Sequence, residues 1–181
     1  SYIENGWYNA EKVQDIACFP KLYETPIPNL RYVKKKPLDL INPFAKERII
    51  WKKDFSEIII KKGSPISFWL DFGAIFCAVP GMTIVGNEDA KIVLHMEEFP
   101  GKIERTGTTE TYILGQGKNE IESLRRHSIH YIQIVISNFE EDIILKEPQI
   151  LVSVYPSEMP GEFHCSNKNL EKIYLLGCRT N

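Results

Sequence analysis

From Arg48 to Pro160 the chain is a succession of short apolar runs broken by turn residues, and that rhythm restricts it more than any other feature. In "SEIIIKKGSPISFWLDFG", Ile66, Phe68, Leu70 and Phe72 recur at every second position, which places them on one face of a β-strand. "RIIW", "GMTIVG", "AKIVLHMEE", "TETYILG", "SIHYIQIVIS" and "PQILVSVYP" are further runs rich in the β-branched and aromatic residues that suit a pleated surface. Ile132, Ile134 and Ile136 share one face, with Ile129, Tyr131 and Val135 opposite; this pattern predicts a central strand. Lys62-Gly63-Ser64-Pro65, Gly86-Asn87-Glu88-Asp89 and Gly115-Gln116-Gly117 supply the turns. Eight or more strands with short connections predict an all-β fold, an antiparallel β-sandwich of the concanavalin or jelly-roll type.

Three segments follow from the pattern. Residues 1–47, interrupted by Pro20, Pro26, Pro28, Pro37 and Pro43, read as an irregular segment packed on the sandwich. Residues 48–160 form the sandwich. Residues 161–181 read as a linker and a short C-terminal helix, capped by Ser166 or Asn167. Leu170, Ile173, Tyr174, Gly177 and Cys178 fall on one face of that helix.

With 181 residues, folding can bury about 70% of the unfolded surface, so a core forms without disulfide or metal staples. A net charge of −2 argues against nucleic acid and anionic membranes as partners. The Lys34-Lys35-Lys36 run reads as a solvated loop or strand end. No apolar run approaches the roughly 18 residues of a membrane span. Cys18, Cys77, Cys165 and Cys178 form no Cys-x-x-Cys pair and read as buried free thiols, which favours a reducing, cytoplasmic setting.

Motifs that could carry chemistry have plainer readings. Asp71-Phe72-Gly73 lacks every companion of a kinase signature and reads as a strand end turning at glycine. Gly115-Gln116-Gly117 lacks the third glycine of a dinucleotide loop and reads as a tight hairpin. His127 and His130, three apart on a strand, point to opposite faces and cannot share a metal. His164, Cys165 and Cys178 are too sparse for zinc. Glu97 and Glu98, adjacent on a strand, diverge and are poorly placed to act as acid and base together. No Ser-His-Asp constellation is legible. Trp7, Trp51 and Trp69 could each stack on a sugar but read as core residues. No metal, cofactor or catalytic residue is expected.

Read together, several stretches resemble the bacterial alpha-L-rhamnosidases. "NGWYNAEKV" resembles their Gly-Trp-x-x-Ala segment, and "LYETPIPNLRYV" the Pro-rich approach to the central sandwich. "FWLDFGAIFCAVPGMTIVG" resembles a strand, Asp-Phe-Gly turn and strand of that sandwich. "IVLHMEE" matches a strand ending in glutamate, and "TETYILGQGKNEIE" a Tyr-x-Leu-x-Gly hairpin. "VYPSEMPGEFHCSNKNLEKIY" resembles the linker to the barrel, with Gly161, Phe163, Cys165, Ser166, Leu170 and Ile173 at the pattern positions. Where the family carries Phe-Arg-Tyr, this chain carries Ile129-His130-Tyr131, which marks a divergent member.

The resemblance implies a non-catalytic sandwich that supports its own C-terminal (α/α)6 barrel, with a rhamnose-containing glycan as the substrate. Inverting hydrolysis would use carboxylates on that barrel; the matching motifs lie past Asn181, so no residue here inherits a catalytic role. The rival readings are a stand-alone, lectin-like carbohydrate-binding module that uses an exposed tryptophan, and a pure interaction domain.

Overall fold

A computed structural model describes residues 29–41, 43–99, 108–155 and 161–180. Ten strands, one α-helix and a short 3-10 turn (Lys46–Arg48) are formed among them: β1 (Arg31–Lys35), β2 (Asp39–Ile41), β3 (Ile49–Trp51), β4 (Glu57–Ile60), β5 (Ile66–Gly86), β6 (Lys91–Glu97), β7 (Thr109–Ile113), β8 (Gly117–Glu122), β9 (His127–Ser137), β10 (Ile143–Val154) and α1 (Lys168–Thr180). The fold is an all-β antiparallel sandwich with one short C-terminal helix, as the alternation predicts.

All ten strands belong to one hydrogen-bonded network, because β5 and β9 serve both layers. In the first layer β5 pairs through Ile66–Asp71 with β9 and through Trp69–Asp71 with β2, and β6 and β7 continue outward from β9. In the second layer the other half of β5 lies between β10 and β8. There β10 pairs on its far side with β4 and β1, and β3 follows β4. One buried cluster fills the interior, with Phe68, Leu70, Ile84, Leu94, Ile132, Ile134 and Leu145 all fully enclosed.

The change of layer occurs at a bulge. Pairing of β5 with β9 runs Asp71 to Tyr131, then skips to Phe76 opposite Ile129. Four residues of β5 therefore oppose one of β9. Gly73 sits in the bulge at φ +79°, where a side chain is strained, and its N–H donates to Asp71 Oδ1 at 2.6 Å. The bulge shifts the buried positions of β9 from odd numbers (His127, Ile129) to even ones (Ile132, Ile134, Ile136). Asp71-Phe72-Gly73 thus bends a continuous strand, which corrects the expectation of a strand end. The backbone continues because the Asp71 carboxylate satisfies the bend locally.

Pro80 lies inside β5 without breaking it. Its C=O accepts from Ser123 N at 3.0 Å, so its missing N–H faces that same side. There β9 has ended opposite Ala78 and β8 has not begun until Gly81, so no partner carbonyl is left wanting.

Two other expectations change. β1 and β2 fall within residues 1–47, in the gaps that Pro37 and Pro43 leave open; that stretch is not irregular throughout. Gly115-Gln116-Gly117 is not a hairpin turn, since β7 pairs with β6 and β8 with β5. It is an arch between layers. The Asn119 amide holds it, accepting from Gly115 N and donating to the carbonyls of Gly115 and Gly117 at 2.9–3.1 Å.

Gly73→Ala forces an L-residue into the left-handed region and is expected to cost about 1–2 kcal/mol, read as a lower urea midpoint. An unchanged midpoint would show that the bulge conformation is dispensable.

Candidate functional site

Side chains that carry chemistry gather in three places. The first is the outer face of the first layer at the bulge. His130 is the single β9 residue skipped by the pairing, so it leans over its neighbour: the His130 and Tyr131 rings stack at 3.9 Å. His130 Nε2 lies 3.2 Å from Asp71 Oδ1. Two motifs far apart in sequence, Asp71-Phe72-Gly73 and Ile129-His130-Tyr131, therefore meet and hold each other. Burial and the Asp71 charge both raise the Tyr131 phenol above its ordinary pKa. Beside them Trp69 is buried and edge-on to Tyr131 at 6.5 Å. Gln133, paired between Trp69 and His95, keeps a buried Oε1 without a hydrogen-bond partner. Burial lowers the His95 imidazole's pKa, and His95 Nδ1 is 2.8 Å from Thr109 Oγ1.

The second place is a polar latch at the sandwich edge. Ser123 and His127 are the buried polar residues among those described. Glu110 on β7 accepts from Ser123 Oγ at 2.5 Å and His127 Nε2 at 3.0 Å through Oε1, and from Tyr112 OH at 2.5 Å through Oε2. Burial alone would raise the Glu110 pKa. The hydrogen bonds from Ser123, Tyr112 and His127, with the charge of His127, outweigh it and hold the carboxyl below its ordinary value. Burial, and then Glu110 itself, push the Tyr112 phenol far upward. The latch joins β7 of the first layer to the β8–β9 corner of the second.

Serine, histidine and glutamate meet here without forming a nucleophilic relay. A relay places the imidazole between acid and hydroxyl, one ring nitrogen on each. In this latch the same Nε2 faces both Glu110 and Ser123, the latter at 3.4 Å. The Ser123 proton goes directly to the carboxylate, while Ser123 Oγ accepts from Arg125 N at 3.1 Å. With its proton directed to Glu110 and its oxygen accepting from Arg125 N, Ser123 is a structural pin. Residues 110, 123 and 127 carry no motif spacing, so only the arch between β7 and β8 reveals the cluster.

The third place is an open trough on the outer face of the second layer. A cleft of about 500 Å³ is lined by Tyr32, Val79, Glu122, Ser123, Leu124 and Leu151. A second, of about 270 Å³, is lined chiefly by Gly81, Thr83, Glu120, Glu122, Lys146, Glu147 and Gln149. Glu122 borders both, and Ser123 ties the first to the latch. Glu147, before Pro148, adopts φ +47° where the β10 register slips, a conformation that L-residues rarely hold.

The other sequence candidates lie elsewhere. Glu97 ends β6, with Thr108 Oγ1 at 3.4 Å from its carboxylate. Trp51 is half-buried against the core. Trp7 and Cys18 lie outside the described residues. Cys77 is exposed, and Cys165 and Cys178 are half-buried; these thiols are free but not buried, because Cys77 points outward from β5 and the other two lie on the linker and α1. His164 sits 3.4 Å from Glu162. Among the described residues no group of three metal-ligating side chains assembles, and no helix is long and apolar enough to cross a membrane.

The architecture defines an all-β antiparallel sandwich, and solved structures share it. A GH78 family rhamnosidase of Bacillus sp. GL1 superposes with a TM-score of 0.52 at 21% identity, over 62% of this chain and 12% of that one. A rhamnosidase from Klebsiella oxytoca with rhamnose bound superposes with a TM-score of 0.59 at 12% identity, over 81% of this chain and 34% of that one. At these identities the likeness is one of fold. The chain spans about an eighth and a third of these proteins' lengths. No protein-family model matches the chain, and no curated protein matches it.

Glu110 has its pKa depressed in the folded state, so its stabilisation is present above the ordinary carboxylate range and is lost as pH falls through the folded value. Glu110→Gln is expected to lower stability at neutral pH and to flatten the acid limb of a melting-temperature profile; an unaltered limb would contradict the latch. Gln133→Met removes the orphaned acceptor and is expected to raise stability by about 1 kcal/mol, measured by chemical denaturation.

Proposed function

We propose that this chain is the non-catalytic β-sandwich portion of a longer glycoside hydrolase resembling the alpha-L-rhamnosidases. Its work is to support an (α/α)6 barrel that carries the general acid and base. On this reading residues 48–160, together with β1 and β2, form the supporting sandwich, and residues 161–181 lead into the barrel. Free thiols match a reducing cytoplasm.

One observation carries the reading: among the described residues, α1 is well formed but nothing covers its aliphatic face. Asn167 caps it, its Oδ1 accepting from Asn169 N at 3.0 Å. Glu171 accepts from Cys165 N at 3.1 Å and pairs with Lys168. Tyr174 donates to Gly161 O at 2.9 Å, and its ring meets Phe163 at 5.4 Å. The helix is thereby fixed to its own linker, while Leu170, Ile173, Leu175 and Leu176 stay 48–62% exposed. Leu170, Ile173 and Leu176 share one face of α1, large aliphatic side chains that are costly to leave in water, and a barrel helix packed on that face would remove the cost.

In the protein extended beyond Asn181, Ile173→Lys and Leu176→Lys together are expected to abolish hydrolysis of p-nitrophenyl α-L-rhamnopyranoside. In the 181-residue chain the same changes should leave the sandwich's melting temperature unaltered. Hydrolysis by the 181-residue chain alone would overturn the proposal.

A further inference from the structure

We propose that the free edge of β8 is a self-association surface, on which a second copy of this chain lays its own β8 antiparallel about a two-fold axis. β8 is hydrogen-bonded on one side: β5 is its partner, and among the described residues no strand lies against its other edge. The register tells which groups are free. Ser123 N donates to Pro80 O at 3.0 Å, and the pairing continues with Glu122 opposite Gly81 and Ile121 opposite Met82. Antiparallel pairs alternate between hydrogen-bonded and non-hydrogen-bonded positions. Ile121 and Asn119 therefore spend their backbone groups on β5, while Lys118, Glu120 and Glu122 turn theirs outward. The side chains of these three residues are exposed as well.

The charges along the edge select the partner and the register. Lys118, Glu120 and Glu122 share one face of the strand, in the order positive, negative, negative. A two-fold contact is isologous, so each pairing occurs twice. With Glu120 on the axis, Lys118 lies opposite the partner's Glu122, and Glu122 opposite the partner's Lys118. Every outward N–H and C=O of these three residues then finds a partner. Opposite charges facing across a ladder stabilise it, and like charges destabilise it. Two complementary pairs here flank one like pair, Glu120 against the partner's Glu120. Lys118 Nζ, 2.7 Å from Glu120 Oε1 of its own strand, moderates that central repulsion from both ends. A slip of two residues one way puts Glu120 opposite the partner's Glu122, twice. The opposite slip leaves Glu122 facing Gln116, beyond the end of β8.

Charged side chains on an edge strand guard it against indiscriminate pairing; here their order leaves one alignment open. The strand is also held in shape at both ends. The Asn119 amide ties the arch before it, and Ser123 ties the corner after it to Glu110. A strand already fixed loses little freedom when it pairs. The contact is short, well under the roughly 800 Å² per partner of a stable interface, so the dimer is weak and depends on concentration. It joins β10, β5 and β8 of one copy to β8, β5 and β10 of the other in a continuous sheet. Neither α1 nor a barrel enters the contact, so the proposal does not rest on the barrel reading.

The test is sedimentation equilibrium of the 181-residue chain at low salt, up to about 1 mM. The expected result is a mass that rises from monomer toward dimer, with a dissociation constant on the order of 0.1–1 mM. Lys118→Glu and Glu122→Lys should each weaken self-association by about tenfold. Mixed together, the two variants should associate with one another, because each reversed charge again faces its opposite. Glu120→Gln removes the like pair on the axis and should tighten the dimer by about threefold. All three side chains are exposed, so the variants should keep the parent melting temperature when dilute. A monomer at every concentration would overturn the proposal. So would undiminished association of either charge variant, a mixture that stays monomeric, or a weaker dimer with Glu120→Gln. The assay reads no hydrolysis, so its failure leaves the barrel reading standing.

Discussion

The Asp71 carboxylate holds the bend on which both layers depend. By accepting the Gly73 N–H and facing His130 Nε2, it stabilises the bulge that sends one 21-residue strand from the first layer into the second. Without that bulge, β5 would present Ile66, Phe68 and Leu70 to one core and could not also present Ile84 to the same core from the opposite side. β9 bends at the same point and changes which of its faces is buried. The two longest elements of the first layer's centre are thus coupled at one carboxylate and one imidazole. His130 makes this pairing with a single ring nitrogen.

Much of this was legible from alternation alone. Ile66, Phe68, Leu70 and Phe72 are buried as their period predicts, and β9 is central as its two apolar faces predict. The helix and its Asn167 cap follow from residue order. What failed were statements about which strand meets which. Glycine at 73, 115 and 117 announces a departure from regular strand, but a bulge, a hairpin and an arch make the same local demand on the backbone. Only pairing partners far away in sequence distinguish them. For the same reason, the Glu110–Ser123–His127 latch could not be read in advance: its members come together because an arch lays β7 and β8 in different layers. The thiols were misplaced because cysteine's tendency to be buried is weaker than the position a strand or helix assigns it.

The latch and the trough are linked through Ser123, which closes the sandwich edge on one side and lines the larger cleft on the other. The uncovered helix lies in a separate part of the chain with its own local anchoring. The molecule therefore carries two surfaces of different kinds, a polar trough on the sandwich and an aliphatic stripe on α1.

The central claim is that α1 is the beginning of a second domain. The most direct measurement is the length and composition of the native reading frame beyond Asn181. The account predicts a continuation of several hundred residues with helical periodicity and acidic motifs suited to a pair of catalytic carboxylates. A stop codon immediately after Asn181 would contradict it and leave the aliphatic stripe of α1 without the partner proposed for it.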